Sequence, residues 1–154
     1  AGRGLSGDPA LRSPMSWTAD AQRAGFTTGT PYRATAANVA THNAAAAQAD
    51  ANSLWHTYRA LIQLRSSTDA LAFGSYEQAT VQGNALSFVR RSGSSRVVVA
   101  LNYGVAASTV VVNGLPAGAS LQALWPATAA AASADGNGQA TLTLGARSAV
   151  VYAY

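Results

Sequence analysis

The sequence has no cysteine and no lysine, and only one glutamate and one methionine. Without cysteine there is no disulfide framework and no thiolate metal site, so the redox compartment is not fixed. Charge is sparse: Asp, Glu, Lys and Arg make up 10% of residues, against roughly 25% in average proteins. The ten cations are all arginine, and apart from Arg90-Arg91 they stand singly. The net charge of +4 therefore reflects a shortage of acids, and cations that do not cluster make no nucleic-acid footprint. No apolar run approaches the ~20 residues that cross a bilayer, so no membrane partner is expected. The opening AGRGLSGDPA lacks a charged-then-apolar leader, which predicts a chain that stays inside or an internal piece of a longer precursor.

What is present begins with a stretch from Leu11 to Arg33, LRSPMSWTADAQRAGFTTGTPYR. It follows neither the period of a strand nor that of a helix, yet carries Met15, Trp17, Phe26 and Tyr32 among two prolines and two glycines. Disordered segments are short of such aromatics, so this is an ordered loop, and ordered loops of this length are usually functional. Residues 1–10 read as a polar turn. Residues 34–49 are alanine-rich and read as a loop with a helical turn, with His42 a hydrogen-bonded loop histidine.

A helix is expected from Asp50 to Arg65, N-capped by Asp50 with Ser53 three residues on. Leu54, Tyr58, Leu61 and Ile62 form its apolar face, Trp55 and Tyr58 are expected in the core, and His56 outside it. From Leu71 the period shortens. LAFGSYEQATVQ predicts one or two strands with Gly74 at a bend or bulge, followed by ALSFVRR, RVVVALNY, STVVVN, SLQALW, QATLTL and SAVVYAY. RVVVALNY is apolar on both faces and reads as a central strand. Short strands about 8–12 residues apart, with turn residues between them, indicate an antiparallel sandwich or barrel; 126–138 is a low-complexity loop.

Catalytic chemistry is thin. Neither histidine lies near a nucleophile-elbow pattern, and the two make no zinc site. No phosphate-binding glycine loop is present. Glycoside hydrolysis needs two carboxyl groups across the bond, but Glu77 starts a strand, Asp50 caps a helix, and Asp8, Asp20, Asp69 and Asp135 sit in loops or polar turns. No catalytic residue, metal site or cofactor is assigned.

LRSPMSW at 11–17, AGFTTGTPYR at 24–33, Asn38 and SLWHTYRALIQLRSSTDALAFGSY at 53–76 resemble the C-terminal portion of the α-amylase superfamily of glycoside hydrolases. The nearest pattern is that of its α-glucosidase, oligo-1,6-glucosidase and trehalose-synthase-like branch. The tail LNYG with LGARSAVVYAY resembles the family's terminal sandwich, and Tyr32 departs from the tryptophan of many members. The resemblance implies a mostly β chain: a Greek-key antiparallel β-sandwich at 70–154, preceded by the last loop and helix of a (β/α)8 barrel at 1–69. It implies that the catalytic carboxylates lie in missing barrel strands and that Arg12, Trp17, Phe26 and Tyr32 line the rim of the parent active site. Expected partners are an α-glucan or maltooligosaccharide, through the parent, and the rest of the barrel. The compartment is open, a secreted or periplasmic parent being the expectation. The other reading is a free-standing carbohydrate-binding sandwich using Trp125 and Tyr152.

Overall fold

The computed structural model describes residues 12–154; the expected polar lead-in at 1–10 and Leu11, including Asp8, lie outside them. The chain divides into two compact units, one up to Ala60 and one from Leu61 to Tyr154. The helices are α1 (Ala44–Ala49), α2 (Leu54–Ser67) and α3 (Asp69–Phe73). The strands are β1 (Glu77–Gln82), β2 (Ala85–Ser92), β3 (Ser95–Asn102), β4 (Ser108–Val112), β5 (Ser120–Trp125), β6 (Ala132–Ser133), β7 (Ala140–Leu144) and β8 (Ser148–Ala153).

In the first unit the alanine run is helical because its first N–H groups all find acceptors. The Ala44 and Ala45 amides donate to the carbonyls of Ser16 and Trp17 at 2.9 and 3.0 Å, and Asn43 caps Ala46 through its side chain at 2.9 Å. These are the donors that a helix start otherwise leaves orphaned. Asp50 is thereby committed to ending α1. It does not start α2: its carboxylate accepts the Asn52 amide at 2.9 Å, an Asx-turn, and α2 begins at Leu54 after Ser53, whose hydroxyl donates to the Ala47 carbonyl at 2.5 Å.

The apolar stripe of α2 exists but is bare. Leu54, Tyr58 and Ile62 are 74%, 67% and 61% exposed, so Tyr58 is not the core residue expected, because the described residues do not cover that line. His56 departs the other way: it is half-buried, with Nε2 3.0 Å from the Gln48 carbonyl. Trp55 is half-buried, edge-on to His56 and 5.3 Å from the Arg59 guanidinium.

The second unit holds an antiparallel six-stranded sheet, ordered β1-β2-β3-β8-β5-β6, and a two-stranded sheet, β4-β7. Pairing of Val89 with Val98 and of Val98 with Tyr152 sets the inward phase. Val89, Val98, Ala100, Leu121 and Tyr152 then pack with Val110, Val112, Leu142 and Leu144 of the smaller sheet. On the opposite face Val97 and Val151 pack with Ala70 of α3, alongside Leu64, Leu71 and Trp125. β3 is therefore central and covered on both sides, as its continuous apolar run predicts. The same register buries Tyr152 to 5% exposure, which removes it from the surface that the binding-module reading requires.

Two further expectations change. Residues 69–73 are helical, and Gly74 closes that helix instead of bending a strand. A Cβ on Gly74 would run into the carbonyls of Ala70 and Arg91. The bulge lies later, between Glu77 and Thr80, where Gln78 has φ 52°. Within 126–138, β6 pairs with β5, and Asp135 accepts the Asn137 and Gln139 amides at 2.8 and 2.9 Å.

Candidate functional site

The opening loop is built on a tight turn. Asp20 accepts the amides of Gln22 and Arg23 on its carboxylate at 2.9 and 3.2 Å and the Ala24 amide on its carbonyl at 2.8 Å. The Ala24 carbonyl in turn takes the amides of Trp17 and Thr18 at 2.8 and 3.0 Å. Closing the loop forces Ala24 (φ 53°) and Gly25 (φ 67°) into the left-handed region. Ala24 is fully buried, so its strained backbone is held by its surroundings. At Gly25 a Cβ would lie 2.8 Å from the Thr18 methyl, so only glycine fits there.

This turn sets up an open hollow of about 370 Å³ lined by Arg12, Pro14, Met15, Phe26, Tyr32 and Arg33, with Ser13 at its edge. Three of the four residues singled out from the sequence, Arg12, Phe26 and Tyr32, meet here. Trp17 is half exposed but does not line the hollow; its backbone is taken up by the Ala24 turn. Tyr32 is 95% exposed, and the Arg33 guanidinium lies over its ring at 5.5 Å, a cation–π contact. Arg33 was not singled out from the sequence, although an arginine directly after an aromatic in TPYR is the available signal.

Chemically the hollow presents flat apolar faces and guanidinium donors. Among the described residues no carboxylate or histidine lines it, so these side chains can bind and orient a polyhydroxylated ring but include no nucleophile or general acid. Among the described residues no group of three or more His, Asp or Glu is placed to hold a metal ion, and no helix is long and apolar enough to cross a membrane. Glu77 is occupied structurally: it accepts from Ser75 and pairs with Arg91 at 3.3 Å. Arg91 also donates to the Tyr154 hydroxyl at 3.2 Å and to the Gly114 carbonyl at 2.7 Å. The bond to Tyr154, with a smaller contribution from Glu77, raises its pKa further. His42 Nδ1 is 2.9 Å from the Thr41 hydroxyl, the loop role expected.

Residues 2–74 match the family described as alpha amylase, catalytic domain. Oligo-1,6-glucosidase of Parageobacillus thermoglucosidasius is 36% identical over 93 residues, which are 60% of this chain and 16% of that protein. Trehalose-6-phosphate hydrolase of Bacillus subtilis (strain 168) is 36% identical over 106 residues, 68% of this chain and 19% of that protein. The trehalulose synthase MutB from Pseudomonas mesoacidophila MX-45 superposes with a TM-score of 0.70 at 28% identity, covering 94% of this chain and 25% of MutB. A MutB mutant of the same similarity was crystallised with the substrate sucrose. The chain thus spans less than a fifth of the length of these two curated relatives and matches their C-terminal portion.

Proposed function

This chain belongs to the alpha-amylase family, and from that premise we propose that it is the C-terminal part of a retaining α-glucan-active glycoside hydrolase or transglycosylase. In this proposal residues 1–69 end the catalytic barrel and 70–154 form the accessory β-domain. One observation carries it: the family match at 2–74 contains the whole hollow around Arg12, Phe26 and Tyr32. The described residues of that hollow suit holding a sugar, and the carboxyl groups for bond cleavage are not among them. A retaining reaction uses two carboxyl groups roughly 5–5.5 Å apart, one the nucleophile and one the acid. Both are assigned to the preceding part of the longer enzyme. The bare line of Leu54, Tyr58 and Ile62 supports the same reading, since an apolar helix face of this kind is normally packed against a neighbour.

The substrate of the parent is an α-glucan or maltooligosaccharide, with Tyr32 and Phe26 offering ring faces and Arg12 and Arg33 hydrogen bonds to hydroxyls. Bond preference is not part of the proposal, because the relatives carry different activities in their names. The free-standing binding module loses one of its two aromatics, Tyr152, to the core.

The test is kinetic. In the intact enzyme, Tyr32→Ala is expected to raise KM for maltotriose about tenfold and to change kcat less, the pattern of lost binding. Unchanged KM and kcat would remove the hollow from the site. The 154-residue chain alone is expected not to hydrolyse a nitrophenyl α-glucoside, and activity matching the intact enzyme would overturn the fragment reading.

A further inference from the structure

A second hollow, of about 440 Å³, has its described lining in the second unit, with Leu101, Asn102, Tyr103, Trp125, Arg147 and Ser148 among the residues around it. Two turns form it, one following β3 and the other preceding β8. Asn102, 2% exposed, ties them together. Its amide donates to the carbonyls of Ala106 and Gly145, both at 2.8 Å, and its oxygen accepts the Gly104 amide at 2.8 Å. The Arg147 amide adds a bond to the Gly104 carbonyl at 2.9 Å. The Asn102 amide nitrogen thus bridges the two turns through Gly145, while its oxygen pins its own turn at Gly104.

What these turns display is unusual for a surface with only a structural task. Tyr103 is 70% exposed. Arg147 is exposed and has φ 47°, a left-handed conformation that a non-glycine residue enters at a cost. Among the described residues its guanidinium has no hydrogen-bond or ion-pair partner, unlike Arg90 and Arg91. Trp125 presents a half-buried ring to the same hollow. Among the described residues no acid lines it, so they do not select a cation.

We propose that this hollow, which shares no lining residue with the one at Arg12 and Tyr32, is a saccharide-binding site in which a glucose unit of a neutral α-gluco-oligosaccharide stacks on Tyr103 or Trp125 and accepts hydrogen bonds from Arg147. The choice of a glucose-based ligand rests on the function proposed above; the geometry of the site does not. Rings that are flat and apolar take the hydrophobic face of a pyranose, and a planar guanidinium donates to two neighbouring hydroxyls at once.

The experiment is a titration of the 154-residue chain with maltoheptaose, followed by backbone amide NMR shifts. Shifts are expected at Tyr103, Gly104, Arg147 and Ser148. Tyr103→Ala should weaken binding about tenfold, the usual loss on truncating an anchoring ring. Arg147→Gly is the control for folding, because it relieves the left-handed backbone while removing the guanidinium. It is expected to weaken binding at an unchanged or higher Tm. Absence of shifts at these residues, wild-type affinity in both variants, or preferential binding of sulfate over maltoheptaose would each overturn the proposal. Binding here alongside an intact enzyme inactive on α-glucosides would sink the proposed function and leave the site standing; an active enzyme without these shifts would do the reverse.

Discussion

Tyr152 sits opposite Val98 on one side and Ala123 on the other, with its hydroxyl donating to the Ala130 carbonyl at 2.8 Å. Burial raises its phenol above the ordinary value of 10.0. Since the folded pKa then exceeds the unfolded one, its contribution to stability is complete below about pH 10 and is lost as pH rises through the folded value. Two outcomes are expected from urea unfolding. Near pH 7, Tyr152→Phe should be less stable by about 1 kcal/mol, the worth of one hydrogen bond. Above about pH 10 the variant should lose stability less steeply than the wild type, and parallel profiles would show that the phenol is not the group titrating. The strand VVYAY alone does not say which of its two faces turns inward, because both carry apolar side chains. The phase of β8 comes from its partners β3 and β5, and so Tyr152 reads as a surface ring until the register is known. Arg147 is similar: nothing local marks it for a positive φ, which is imposed by the turn bonded to Gly104.

At the level of the element, α3 shows what a short apolar run conceals. LAF fits a strand or a helical turn equally, and five residues of helix are marginal by themselves. Tertiary bonds decide. Arg90 of β2 donates to the carbonyls of Leu71, Gly74 and Ser75 at 2.9, 2.5 and 3.3 Å, Arg65 of α2 adds a bond to Leu71 at 2.6 Å, and Ser95 accepts the Ala70 amide at 3.1 Å. The one adjacent arginine pair of the sequence, Arg90-Arg91, is divided between this helix end and the Glu77–Tyr154 cluster. Arg90→Lys keeps the charge but loses the planar fork that reaches several carbonyls together. It should lower stability by about 2 kcal/mol, since charge-assisted bonds are worth more than neutral ones, as measured by chemical unfolding near pH 7. A change below about 0.5 kcal/mol would mean that the Arg90 bonds do not hold α3, leaving it to Arg65, Ser95 and packing. Residues 34–49 read as a loop with a helical turn, although Asn43 directly before an alanine run is the available capping signal for α1. The carbonyls of Ser16 and Trp17 that complete it come from a loop with no periodicity, and no local pattern predicts them.

Across the whole chain the two units differ in what they bury. The second has a continuous core from Val89 to Tyr152, legible in advance from the spacing of its strands. Among the described residues of the first, the buried side chains are Ala24, Val39 and Asn43, which are small, and neither α1 nor α2 holds a fully buried residue. Burial of large apolar side chains, at roughly 1.5–3 kcal/mol each, is what offsets chain entropy, and the first unit has little of it. Hydrogen exchange on the 154-residue chain should therefore divide at α2. Amides of Val98, Ala100 and Tyr152 are expected to exchange slowest, near the limit of global opening, and those of Ala46, Ala47 and Thr57 much faster by local opening. In the longer enzyme proposed above, the same early amides should gain protection, because the line of Leu54, Tyr58 and Ile62 would then be packed. Equal protection of both units in the chain alone would mean that the first is self-sufficient, and its bare apolar face would no longer argue for a missing catalytic partner.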